Sequence, residues 1–85
     1  MSVEFVGVVT DIRLESRVDG VARWQMAVSG SSFRPGDSGV LEAMARSGAR
    51  LMVPVLNVTA DEQGEMWHLV EKPLTEGTEV IGRIG

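Results

Sequence analysis

The side chains able to do chemistry in this chain are one histidine, a small acidic cluster and a scatter of arginines. His68 lies between Trp67 and Leu69 in a run patterned like a strand, with no carboxylate or thiolate at ligand spacing. One imidazole without such neighbours does not make a metal site. The chain has no cysteine, so neither a thiolate zinc site nor a disulfide is available. Asp61, Glu62 and Glu65 gather at a turn without the alternating ligand spacing of a calcium loop, and read as a solvated hairpin tip. Glycine-rich phosphate motifs are missing as well. No metal and no cofactor is expected.

The string Arg34-Pro35-Gly36-Asp37-Ser38-Gly39 contains a Gly-Asp-Ser-Gly segment. It resembles the segment around the nucleophile of chymotrypsin-like serine proteases. That resemblance implies a histidine base placed before the serine, a buried Asp behind it and two facing barrels. Here the single histidine follows the serine, and 85 residues are too few for two barrels. A turn leading into a helix N-cap accounts for Asp37 and Ser38 without catalysis. No nucleophile is assigned, and the chain is not expected to be an enzyme.

The arginines depend on the elements that carry them. Val3 to Leu14 reads as one long strand whose pattern changes midway. Val6, Val8, Ile12 and Leu14 are apolar on one face, while Val3, Phe5 and Val9 are apolar on the other. Such a change implies strong curvature, with Gly7 at a suitable bend or bulge. Val21 to Val28 alternates, with Ala22, Trp24, Met26 and Val28 opposed to Arg23 and Gln25. A three-residue turn, Val18-Asp19-Gly20, pairs Leu14 with Trp24 and Ile12 with Met26, and sets Glu15 opposite Arg23. Arg13, Arg23 and Gln25 then share the outer face of the hairpin, with Arg17 near its tip. Arg34, Arg46 and Arg50 form a second, looser group. Trp24 and Trp67 read as core, since the apolar residues on their faces agree with burial. Phe33 sits in the polar loop Ser29–Gly36 and is either exposed or a plug of the interior.

Beyond that loop, Asp37 or Ser38 begins a predicted helix to Ser47, with Val40, Leu41 and Met44 as its stripe, Arg46 in its last turn and Gly48 as its stop. Arg50 to Thr59 is a strand, with Pro54 marking an edge or bulge. Asp61 to Gly64 turns the chain, Met66 to Val70 returns, and Glu76 to Ile84 is a candidate closing strand. The expected fold is mainly β with one helix, in the order β-β-α-β-β. It is either a small barrel or half-barrel or, as an alternative, a two-layer α/β sandwich. Over Val3–Val28 the bent first strand and hairpin resemble the opening of an oligonucleotide/oligosaccharide-binding (OB) domain. The third strand of that family has no counterpart in Ser29–Gly36.

Length and charge narrow the function. A single domain of 85 residues buries only about 60–65% of its unfolded surface, so its core is thin and self-association adds stability. The N-terminal Met1–Phe5 lacks a basic region before an apolar stretch, and no run approaches the roughly 18 apolar residues of a membrane span. A cytoplasmic location and no membrane partner are expected. The net charge of −4 opposes a general affinity for polyanions. Two roles follow as expectations. One is a small binding or assembly module acting through protein–protein contacts or as a homo-oligomer, docking through the sheet edge near Pro54 or through the terminal strand. The other, implied by the OB resemblance, is a single-stranded nucleic-acid binder using Arg13, Arg17, Arg23 and Gln25, with Phe33 as a stacking ring.

Overall fold

The computed structural model describes residues 3–44 and 47–85. Its strands are β1 (Val3–Val18), β2 (Val21–Ser29), β3 (Gly39–Met44), β4 (Arg50–Val55), β5 (Asn57–Ala60), β6 (Met66–Val70) and β7 (Glu79–Ile84). All pair antiparallel in one sheet of order β4-β3-β7-β1-β2-β6-β5. The sheet is open in its hydrogen bonding, yet its two outermost strands, β4 and β5, are separated in the chain by Leu56 alone. The Leu56 N–H donates to the Leu69 carbonyl at 2.8 Å, which starts the pairing with β6. The sheet is therefore coiled until its ends are chain neighbours.

The predicted helix is overturned. Gly39–Met44 is a strand paired on both sides, with β4 and with β7. Burial there has a period of two: Leu41 and Ala43 point into the core, while Glu42 and Met44 point outward. The segment Val40-Leu41-Glu42-Ala43-Met44 satisfies either period, and the β-branched Val40 with two waiting strand edges decides for the sheet. Gly39 passes so close to the Arg83 carbonyl that a Cβ there would collide with it. The β-β-α-β-β order falls with the helix, as does the α/β sandwich. One seven-stranded sheet stands where a helix-capped barrel or half-barrel was expected. Gly48 does take the positive φ foreseen for it, at 89°, but ahead of a strand. Arg46 lies outside the described residues.

The first hairpin closes differently from the expected three-residue turn. Asp19 and Gly20, at φ 52° and 79°, form a two-residue turn of the kind whose twist suits strands, with Val18 opposite Val21. Even so, Leu14 faces Trp24 and Ile12 faces Met26. The register recovers because β1 bulges between Leu14 and Ser16, so Ser16 rather than Glu15 stands opposite Arg23. A second bulge between Val9 and Asp11 explains the midway change of pattern, with Val9 inward before it and Ile12 inward after it. Gly7 is not the bulge. It is the point where β1 passes the Ser29 carbonyl too closely for a side chain. Leu14, expected in the core, is 49% exposed because the hairpin runs on past β6.

The core gathers Val9, Met26, Val28, Leu41, Val53, Val55, Val58, Val70 and Val80 around Phe33, with Phe5, Ile12 and Trp24 packed against it. Pro54 sits in the outermost strand, as its missing N–H requires. The last strand is central, wedged between β1 and β3, and Gly82 within it makes room for the Phe5 ring. Among the described residues, no helix is long and apolar enough to cross a membrane.

Candidate functional site

The arginine face of the first hairpin is only partly the cluster the sequence implies. Arg13 and Gln25 are directly opposed, and Arg13 Nε donates to Gln25 Oε1 at 2.8 Å. The Arg13 guanidinium lies 3.8 Å from the centroid of the Trp67 ring. A stack of this kind contributes about 0.5–1 kcal/mol at an exposed site. Trp67 Nε1 in turn donates to Asp61 Oδ2 at 3.0 Å, and Asp61 Oδ1 accepts the N–H groups of Gln63 and Glu65. The Trp67 bond first, then the Glu65 N–H, holds the Asp61 carboxyl below its usual range. Trp67 is thus buried as expected, but beneath Arg13 on the outer face.

Arg23 shares that face by register, opposite Ser16. Arg17 does not, because the bulge at Glu15 turns it to the side of Ala22 and Trp24. Phe33 is not a surface ring. It is 2% exposed and meets Phe5 and His68 edge-on, with centroids 5.6 and 5.1 Å away. It fills the interior and offers no stacking platform. Arg34 and Arg50 form no common group either. The Arg34 N–H closes a turn onto the Asp37 carboxylate at 2.8 Å, and Arg50 approaches Glu42 at 3.9 Å. Asp37 therefore caps a Pro35-Gly36 turn, with Gly36 at φ 90°, instead of a helix.

His68 has a partner the sequence does not disclose. Its Nδ1 lies 2.8 Å from the Met26 carbonyl, which only accepts, so the ring proton resides there. Nε2 is then the acceptor for the Ser31 hydroxyl at 2.7 Å. A serine donating to a histidine is the opening arrangement of nucleophilic catalysis. The setting removes that role, since His68 is fully buried and a backbone carbonyl stands where a carboxylate would orient and charge-balance the ring. The pair instead fastens the β2–β3 crossing to β6. Burial, opposed by the Met26 bond, pushes the imidazole below its ordinary 6.5 and keeps it neutral.

The other end of the sheet has an outer surface of another character. Val6, Ile81, Glu42 and Met52 form one outward row across β1, β7, β3 and β4. Val6 is 72% exposed, Met52 48% and Met44, one step along, 65%. Glu42 sits low among them, 3.5 Å from Arg83, which also reaches Glu4 at 3.1 Å. Sequence reading assigns Val6 to one apolar face with Ile12 and Leu14, and Met44 to a helix stripe.

A cleft of about 700 Å³ opens beside this row, between Met44 and Leu51 on one wall and the segment Pro73–Thr78 on the other. Among the described residues no group of three acidic, histidine or cysteine side chains is placed to hold a metal. No protein-family model matches the chain, and neither curated proteins nor solved structures include a match. The assignment of function rests on this geometry.

Proposed function

We propose that this domain is a non-catalytic assembly module that docks to protein through the outer face of β7, β3 and β4. The observation that carries the proposal is the outward row Val6–Ile81–Glu42–Met52, with Val6 and Met52 exposed at its ends and Met44 exposed beside it. Isolated exposed apolar residues are ordinary, whereas apolar residues gathered in one register row, here around the paired Glu42, make a patch of the kind that marks interfaces. The buried end of the ion-pair chain, Glu42 with Arg83, supplies a fixed polar centre that sets orientation more than affinity. The thin core of so small a domain makes a second copy of the chain the simplest partner.

Light scattering over a range of concentrations tests this. The wild-type chain should exceed the 9.2 kDa of a monomer, and Val6→Lys or Met52→Lys should return it to that mass with an unchanged circular dichroism spectrum. A wild-type chain that stays monomeric into the millimolar range removes self-association through this face.

The nucleic-acid reading is left without its ring, because Phe33 is interior, and with Arg13 already stacked and hydrogen-bonded within the chain.

A further inference from the structure

The cleft beside β4 is distinct from the apolar row, although Met44 borders both. β4 pairs with β3 alone, and among the described residues no other backbone hydrogen bond reaches Arg50–Val55. Pro54 has no N–H, so its place in the ladder is one whose nitrogen faces away from β3. Residues of the same parity, Arg50 and Met52, then turn both N–H and C=O toward the free edge. A short run of donors and acceptors thus flanks Leu51, the β4 residue that lines the cleft, and ends at Pro54.

The far wall is preformed. Gly77 N–H donates to the Val9 carbonyl at 2.7 Å, and Val9 N–H donates to the Thr78 carbonyl at 2.9 Å, which ties this wall to β1. The apolar part of the lining is Ala43, Leu51 and Leu74. The charge is one-sided. Glu76 and Glu79 border the cleft, and its smaller neighbour of about 270 Å³ adds Glu42 against Arg50. Glu42 and Arg50 approach each other, which leaves the two rim carboxylates in excess.

We propose that this cleft takes an extended peptide segment of alternating apolar and basic residues, added as a further strand on the free edge of β4. The backbone edge supplies affinity, Leu51 and Leu74 receive the apolar side chains, and Glu76 and Glu79 select lysine or arginine. Strand addition to an exposed edge is an established mode of peptide recognition. The cleft also lies in the size range of ligand sites, about 300–1,000 Å³. This inference rests on the protein-binding reading but uses a different surface from the self-associating face.

The test is fluorescence anisotropy with labelled Val-Lys-Val-Lys-Val-Lys, its Val-Glu counterpart, and Val-Lys peptides N-methylated on one or the other alternate set of amides. The Val-Lys peptide should bind with an affinity that falls as salt rises, and the Val-Glu peptide should not bind. One methylated set should abolish binding and the other should spare it. The double substitution Glu76→Lys/Glu79→Lys should weaken binding by about tenfold or more, the size of effect expected for two complementary rim charges. Val6→Lys, which disables the self-associating face, should leave it unchanged, so the two readings can fail separately. Equal binding of both peptides, indifference to both methylation patterns, or no binding at millimolar peptide overturns the proposal. A Val6→Lys chain whose solution mass still exceeds 9.2 kDa and falls to it when Val-Lys peptide is added overturns it too, and assigns the cleft to a second copy.

Discussion

The two outer faces of this sheet are built from similar strands and end in opposite conditions. On β1, β2 and β6 the polar groups answer one another: Gln25 holds Arg13, Arg13 covers Trp67, and Trp67 holds Asp61. On β7, β3 and β4 the charges also pair, through Glu4, Arg83 and Glu42, but Val6, Met44 and Met52 stand uncovered around them. A face whose large aromatic is roofed by its own arginine leaves little for a partner to bury. A face with uncovered valine and methionine gains from any cover at about 25 cal/mol per Å² of apolar area removed from water.

On the function proposed above, the roofed face serves folding and the bare face serves association. Trp67→Ala should break this contrast most severely. That substitution removes a buried indole and strands the Asp61 bond, and chemical denaturation should register a loss of about 3–5 kcal/mol. A loss below about 1 kcal/mol, within the range of an ordinary surface change, would show that the roof is decorative.

Next comes acid, which acts on the core that both faces share. The His68 pKa is depressed on folding, so its neutral form favours the native state above pH 6.5. That contribution is lost as pH falls from 6.5 toward the lower folded value, because the unfolded chain then binds the proton more readily. The melting temperature should drop over that interval, and His68→Gln should flatten the profile. An unchanged slope in that variant would assign the effect to other groups.

Arg13→Ala removes only the roof and should cost about 0.5–1 kcal/mol, with Trp67 fluorescence shifting toward that of a hydrated indole. Smallest is Met52→Ser on the bare face. Its effect on monomer stability should stay within about 0.5 kcal/mol, while the solution mass falls. A Met52→Ser chain that unfolds easily but keeps its mass would reverse the roles given to the two faces.

How much of this was legible in the residues follows from the physics of each. The alternation of Ala22, Trp24, Met26 and Val28 yields β2, and the cross-strand pairs Leu14–Trp24 and Ile12–Met26 follow from matching apolar faces. Those pairs imply a three-residue turn, whereas the chain turns in two residues and a bulge absorbs the difference. Bulges carry no strong side-chain signature, so pattern alone locates the change of face without its cause. Gly39–Met44 is ambiguous because six residues contain both periods, and only the flanking strands β4 and β7, the second of them distant in sequence, choose between them. The same holds for the candidate sites. Arg13 and Gln25 were found because they face each other across one hairpin. Phe33 stays open between exposed and a plug of the interior, and the Ser31–His68 pair is not visible at all, because a loop residue's burial depends on where a crossing segment lands. The β4 edge was visible through Pro54.

The bulges give β1 a property like a reading frame. Taking out Thr10 leaves Val9 across from Val28 and Asp11 across from Ala27, so each side chain keeps its side of the sheet, and Glu15 has the same standing. Taking out Ile12 instead throws everything between there and the turn out of phase. A shortened chain without Thr10 should therefore still pair its strands correctly and lose only coil, along with the 3.3 Å bond from the Thr10 hydroxyl to the Ala27 carbonyl. In this strand, length can change at two places without changing meaning.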